Sequence, residues 1–125
     1  MLIDTDVLIW MTRGHAAAAA RLQTMTPWRI SAVTYMELAQ GCRNKQELER
    51  LKKGLALCQT EIVPVSTAVS DLAMQLIDGY ALSHGVQLGD ALIAATALEH
   101  GWAVFTANAK HYSAIGGLRV EVFVP

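Results

Sequence analysis

Residues 88–101 read LGDALIAATALEHG, and in a helical conformation their apolar side chains would point to nearly every side. Such a helix is typical of a position buried between the layers of a domain. Gly101 suits the end of this helix, and the apolar residues 103–106 follow it as a predicted strand. A buried helix that runs into an apolar strand indicates an α/β domain.

Short strands and helical segments alternate along the rest of the chain. Helices are predicted at residues 7–12, 15–25, 32–40, 44–59, 66–83 and 88–101, and strands at 2–3, 29–32, 61–65, 103–106 and 118–124. Either Ser31 or Thr34 caps the third helix, and Pro64 favours an edge position for the third strand. The order predicts one domain over residues 1–125, with three α/β/α layers around a mostly parallel sheet of about four to five short strands.

The composition excludes several classes of protein. Apolar residues make up 53% of the 125-residue chain and charged residues 17%, which provides a folded core and rules out intrinsic disorder. Ten Lys and Arg against eleven Asp and Glu leave no overall basic field, so nucleic acid would need a local site. The N-terminus is a poor signal peptide, and charges interrupt every stretch of about 18 residues that could span a membrane. We therefore expect a soluble cytoplasmic protein without a membrane segment.

Four acidic residues lie where charge is costly. Asp4 and Asp6 interrupt the apolar N-terminus, Glu37 lies among apolar neighbours, and Asp90 begins the most buried helix. Strands of a parallel sheet present their carboxyl ends at one edge, which brings Asp4 toward Asn108, just after the strand at 103–106. Converging oxygen ligands suit Mg²⁺ or Mn²⁺ better than zinc. Such an ion performs phosphoryl chemistry well.

Each of these residues also has a local structural explanation. Asp4 or Asp6 could cap the helix at 7–12, and Asp90 and Asn108 could cap the elements that follow them. Thr34 and Glu37 together match a capping box. Four separate caps would not explain why these residues cluster at one edge of the predicted sheet.

Four segments together resemble the PIN-domain ribonucleases of the VapC toxin type. They are LIDTDVLIW at 2–10, SAVTYMELAQG at 31–41, LGDALIAATALEHG at 88–101 and FTANAKHY at 105–112, in the order and at the spacings typical of that family. The resemblance implies a PIN-like fold and RNA cleavage that depends on Mg²⁺ or Mn²⁺. It also implies the toxin half of a type II toxin–antitoxin pair, with a VapB-like antitoxin and a second copy of the toxin in a homodimer as partners.

The resemblance also implies roles for individual residues. Asp4 and Asp90 would be the principal metal ligands, and Glu37 would complete the site and help to orient the attacking water. Thr5, Asp6 and Thr106 would support these ligands.

The chain departs from the family pattern at the fourth acidic position. Asn108 stands there, and His111 follows where many members carry an Asp. An amide can still hold a metal or a water but adds no negative charge, so one ion is expected instead of two. His111 could contact an RNA phosphate, or it could be an exposed turn residue.

Two further features leave alternatives open. Five basic residues, Arg43, Lys45, Arg50, Lys52 and Lys53, crowd one segment. They could bind phosphate, or they could pair with the interleaved Glu47 and Glu49. The alternative functions are a PIN-like nuclease of RNA maturation without an antitoxin, and a catalytically silent module that binds protein or RNA.

Overall fold

Five short strands and six α-helices alternate along the chain in the computed structural model, which describes residues 1–125. The strands are β1 (Leu2–Ile3), β2 (Arg29–Ser31), β3 (Glu61–Val63), β4 (Val104–Thr106) and β5 (Val120–Val122). The helices are α1 (Thr5–Thr12), α2 (Ala16–Gln23), α3 (Ala32–Gln40), α4 (Lys45–Leu57), α5 (Thr67–His84) and α6 (Leu88–His100). A 3₁₀ turn covers Ala109–His111. Every predicted element is present, although β3 and β5 are shorter than predicted.

All strand pairings are parallel, as predicted. One group of strands has the order β1-β4-β5, the other pairs β2 with β3, and β2 lies beside β1. Strand β3 pairs only with β2 and ends immediately before Pro64, the edge position that a proline tolerates. The first residues after β1 and β4 therefore meet at one edge of the sheet, because Ile3 is paired with Phe105.

Side chains from successive strand residues enter two separate cores. Leu2 and Val104 pack into a cluster with α5 and α6, whereas Ile3 and Phe105 pack into a cluster with α1, α2 and α4. This alternation follows from the two-residue period of a strand. Each of these side chains is at most 1% exposed, so each contributes roughly 1.5–3 kcal/mol from burial. The sheet thus has helices on both faces, which confirms the three-layer prediction.

Local signals explain where several helices begin and end. Ser31 begins α3 by accepting a hydrogen bond from the Val33 N–H at 3.0 Å. The capping box of Thr34 and Glu37 was wrong, because Thr34 lies buried inside α3. Gly101 ends α6 with φ at 72°, a conformation that glycine adopts without strain. None of the helices combines the length and apolar character needed to cross a membrane.

Candidate active site

Asp4 lies at the edge where β1 and β4 end, and it is only 6% exposed. Its Oδ1 accepts a hydrogen bond from the Thr5 N–H at 2.8 Å, which makes it the cap of α1. Its Oδ2 accepts a hydrogen bond from the Thr106 hydroxyl at 2.9 Å. The capping explanation is therefore correct but incomplete, because the other oxygen ties Asp4 to the end of β4.

Asp6 holds the turn that follows β4. Its Oδ2 lies 3.1 Å from the Ala107 N–H and 3.2 Å from the Thr106 hydroxyl. The Thr106 oxygen in turn accepts a hydrogen bond from the Asn108 N–H at 3.0 Å. The buried Thr106 side chain thus connects both aspartates with the backbone that carries Asn108.

The surroundings of Asp4 disfavour its negative charge. Burial and the neighbouring Asp6 carboxylate raise the pKa of Asp4 to about 7, and the hydrogen bonds from Thr106 and Thr5 offset only part of that increase. A carboxyl group with such a pKa is only partly ionised at neutral pH, and a bound cation would favour its ionised form. The group that best fits this position is a bound cation.

Glu37 reaches the same region from α3. Its Oε1 accepts a hydrogen bond from the Thr5 hydroxyl at 2.8 Å, and the Thr5 oxygen lies 3.0 Å from the Thr34 hydroxyl. Its Oε2 lies beside Gly89, where the Cβ of any larger residue would be 3.5 Å away. Glu37 therefore lies at the N-terminal turn of α6, beside the residue that precedes Asp90, and stays exposed.

Asp90 has a polar neighbour at each of its carboxylate oxygens. Oδ2 accepts from the N–H of Gln87 at 3.2 Å, so Gln87 is the N-cap of α6 and Asp90 is an acid of its first turn instead of the cap itself. Oδ1 lies 3.4 Å from Nδ1 of His111. Nε2 of His111 lies 3.1 Å from the side-chain nitrogen of Asn108. His111 is thus in contact with the acidic site, whereas the Asn108 amide is directed at His111.

Tyr112 is a member of this region that sequence reasoning missed. Its side chain is fully buried, and its hydroxyl lies close to the carboxyl group of Asp4. Burial raises the pKa of Tyr112, and so do the negative charges of Asp4, Asp90 and Asp6. Three acids therefore act on one hydroxyl group. The available sequence signal was its place in the segment 105–112, but a lone aromatic residue just after a short turn is more often part of the core.

The arrangement fits an ion that is held only in part by protein. No three His, Cys, Asp or Glu side chains gather closely enough to enclose a metal ion by themselves. Mg²⁺ does not require such an enclosure, since it keeps several waters and commonly uses one or two carboxylates together with substrate phosphates. The oxygen donors of Asp4, Glu37 and Asp90 match that chemistry.

A wide apolar groove opens beside the acidic residues. It has a volume of about 1390 Å³ and runs between α1, α2, α3 and α4. Leu38, Leu51 and Leu55 contribute apolar surface, and Glu37 lies at one side of it. Three arginines also line it, Arg13, Arg43 and Arg50.

Only one of the five basic residues at or just before α4 forms an ion pair. Arg43 forms an ion pair with Glu47 at 2.8 Å, which confirms the pairing alternative for that residue. Lys45, Arg50, Lys52 and Lys53 form no ion pair.

Comparison with known proteins gives consistent matches along the chain. The family model of the PIN domain matches residues 1–117. Ribonuclease VapC10 of Mycobacterium tuberculosis is 33% identical over 129 aligned positions, which cover 100% of this chain and 95% of that protein. A toxin–antitoxin complex from Klebsiella pneumoniae contains a chain with 28% identity and a TM-score of 0.80, covering 97% of this chain and 95% of that one. DNA-bound VapBC from Salmonella typhimurium gives 26% identity and a TM-score of 0.78, with coverages of 97% and 96%.

Proposed function

This chain belongs to the PIN-domain family, and we propose that it is a metal-dependent endoribonuclease that serves as the toxin of a type II toxin–antitoxin pair. Its likeness to Ribonuclease VapC10 extends over the whole chain. The observation that carries the proposal is the buried carboxylate of Asp4, which Thr5 and Thr106 hold at the edge of the sheet. The Thr5 hydroxyl also binds Glu37, which lies beside the residue that precedes Asp90. The similarity to a ribonuclease and the acidic site of this chain thus support the same proposed activity.

Asp4 and Asp90 are the residues that would hold Mg²⁺ or Mn²⁺. Each carboxylate is fixed by protein donors, Asp4 by Thr5 and Thr106 and Asp90 by Gln87. Fixed carboxylates bind an ion without losing further side-chain freedom. When bound, the ion stabilises negative charge on the phosphate and acidifies a water molecule.

Glu37 is the residue that would orient the attacking water. Its Oε1 is held by the Thr5 hydroxyl, while its other oxygen faces the first turn of α6. A carboxylate oxygen in that position can accept a hydrogen bond from water and receive its proton as the water oxygen bonds to phosphorus. The P–O bond to the departing ribose oxygen then breaks, and that oxygen takes a proton from solvent. Thr5, Asp6 and Thr106 act indirectly by fixing the carboxylates.

A VapB-like antitoxin is the protein partner, and we assign its contact to the apolar groove. An amphipathic segment fits a groove lined by leucines from several helices. Arg13 and Arg50 line the same groove without ion pairs, so acidic side chains on the antitoxin would find partners there. Because Glu37 lies at one side of the groove, a segment bound in it would also restrict access of RNA to the acidic residues.

Three expectations from the sequence remain predictions. The exposed Leu82 and Leu88 offer apolar surface for a homodimer, which sedimentation of the purified chain measures. Cytoplasmic location matches a protein whose substrate is RNA. A single PIN domain over residues 1–125 is part of the same proposal.

The test is cleavage of a mixed RNA pool by the purified chain with Mg²⁺, with Mn²⁺ and with EDTA. Asp4→Asn and Asp90→Asn should each abolish cleavage while the fold is retained, because each loses a negative charge at the ion. Asp78→Asn, at an exposed position of α5, is the matched control and should cleave like the wild type. Absence of cutting by the wild type in every condition, with bound antitoxin excluded by mass, would favour the silent binding module.

A further inference from the structure

His111 and Asn108 face each other because of the turn that carries them. The 3₁₀ turn Ala109–His111 begins directly after Asn108, and the His111 N–H donates to the Asn108 carbonyl at 3.2 Å. Side chains three residues apart lie on the same side of a 3₁₀ turn. This geometry places the Asn108 amide nitrogen 3.1 Å from Nε2 of His111.

The contact with Asn108 determines which nitrogen of His111 carries the proton. An amide NH₂ group can only donate, so Nε2 must accept and must be unprotonated. The proton of the neutral imidazole then lies on Nδ1, which is the atom 3.4 Å from Oδ1 of Asp90. Asn108 therefore fixes the tautomer in which the protonated nitrogen of His111 is the one nearest to Asp90.

The contacts with Asn108 and Asp90 leave neither nitrogen of His111 free to hold a metal. Nδ1 carries the proton and lies 3.4 Å from Oδ1 of Asp90, and the lone pair of Nε2 accepts from Asn108. Gln87 donates a hydrogen bond to Oδ2 of Asp90, while His111 contacts Oδ1. Each oxygen keeps a second lone pair for an ion or for water.

We propose that His111 is a positioning residue that orients the Asp90 carboxylate toward a single metal ion, and that Asn108 acts only by fixing the tautomer of His111. This rests on the proposed function for the identity of the ion. It gives Asn108 an indirect role in place of the direct contact expected from its place in the fourth segment. It also explains how the chain manages without a fourth acid, because a neutral donor stabilises Asp90 where a second carboxylate would repel it.

The tautomer can be measured without any metal. Long-range ¹H–¹⁵N NMR spectra of the metal-free protein, recorded about two pH units above the ordinary histidine pKa, distinguish Nδ1–H from Nε2–H. We expect Nδ1–H for His111 in the wild type and a shift toward Nε2–H in Asn108→Ala. We also expect Nδ1–H to persist when the wild type is saturated with Mg²⁺. A predominant Nε2–H form in the metal-free wild type, or a switch to it on adding Mg²⁺, would overturn the proposal.

Metal affinity supplies the second measurement. Titration with Mn²⁺, followed by electron paramagnetic resonance, should give one ion per chain. His111→Ala should weaken binding about tenfold, as is usual when a residue that orients a ligand is lost. His111→Asn should restore most of the affinity, because its amide can donate to Asp90 from nearly the position of Nδ1. His100→Ala, at the other end of α6, is the matched control and should leave the affinity unchanged.

A double-mutant cycle decides how Asn108 acts. Asn108→Ala alone should weaken Mn²⁺ binding by a smaller factor than His111→Ala, and the double variant should bind no more weakly than His111→Ala alone. Full additivity of the two effects would show that Asn108 acts independently of His111, against the proposal. If the wild type bound no ion at all, the metal site of the proposed function would be contradicted. The NMR result would still decide which tautomer of His111 is present.

Discussion

Asp4 combines two requirements that oppose each other in the metal-free protein. It caps α1 and joins the strand ends, but it is buried beside Asp6. The capping and hydrogen-bonding roles favour a polar oxygen at this place, and neither needs a full negative charge. The negative charge of Asp4 would bind the proposed ion. When the ion is removed, this buried charge should lower the free energy of unfolding.

Asp4→Asn should therefore stabilise the metal-free protein at neutral pH. The pKa of Asp4 is raised to about 7 in the folded state, so the folded state binds a proton that the unfolded state has released above about pH 4. The free energy of unfolding of the wild type should fall as the pH rises between these values. Relative to Asp4→Asn, the loss should reach roughly 2–4 kcal/mol by pH 8.

Urea unfolding in EDTA at pH 4.5, 6 and 8 measures this difference, with the variant as reference for all other titrating groups. Mg²⁺ should reduce the difference at pH 8, because the ion replaces the proton as the compensating charge. A difference between the two proteins that stays constant from pH 4.5 to 8 would contradict the assignment.

Thr106 is the second residue whose role can be isolated. Its hydroxyl donates a hydrogen bond to Oδ2 of Asp4 at 2.9 Å. Thr106→Val keeps the volume but leaves the buried carboxylate oxygen without this donor, which should cost about 1–3 kcal/mol and lower RNA cleavage. Thr96→Val is the control. Thr96 is equally buried, but its hydroxyl donates to the Leu92 carbonyl of its own helix, so cleavage should be unchanged.

The helices show which parts of the structure local signals can predict. Asn44 begins α4 and Gly101 ends α6 as predicted, because caps and apolar spacing act within a few residues. Thr34 was misassigned as a cap because its hydroxyl lies beside Thr5, a contact across 29 residues that no local pattern contains. Capping signals therefore place helix ends, whereas the contacts of a polar side chain inside a helix depend on the packing of other elements.

Gly89, in the first turn of α6, allows a test of helix stability and of the position of Glu37. A methyl group on Gly89 would lie 3.5 Å from Oε2 of Glu37, an ordinary contact that needs no shift. Gly89→Ala should increase the free energy of unfolding by up to about 1 kcal/mol through helix propensity. It should also lower cleavage, because the methyl group displaces water from the Glu37 carboxylate.

Gly79→Ala in α5 is the matched control, since a Cβ there meets nothing within 4 Å. It should stabilise the protein by a similar amount and leave cleavage intact. Thermal unfolding and RNA cleavage of both variants provide the two readouts. Equal cleavage by Gly89→Ala and the wild type would contradict the position assigned to Glu37.

Across the whole molecule, the sequence predicted the architecture better than it predicted the details of the site. Alternating strands and helices determine the layers, and the carboxyl ends of β1 and β4 bring Asp4 and Thr106 together by topology alone. The link from His111 to Asp90 joins a turn to a helix across 21 residues, and it depends on side-chain rotamers that spacing does not determine. The distances between Asp4, Glu37 and Asp90 also depend on how the helices pack, which the sequence pattern does not contain. The structure does not bring three such side chains close enough to enclose an ion.

The groove between the helices allows a test of partner binding that leaves the acidic residues untouched. Ala20 on α2 is exposed and lines the groove, whereas the exposed Ala17 on the same helix does not. Ala20→Asp should weaken binding of the VapB-like antitoxin at least tenfold, because a charge would be buried against its apolar segment. Ala17→Asp places the same charge outside the groove and should bind normally.

Co-purification of each tagged variant with the co-expressed antitoxin measures binding, and RNA cleavage by the antitoxin-free variants should match the wild type. Normal capture by Ala20→Asp would move the antitoxin contact to another face of the molecule.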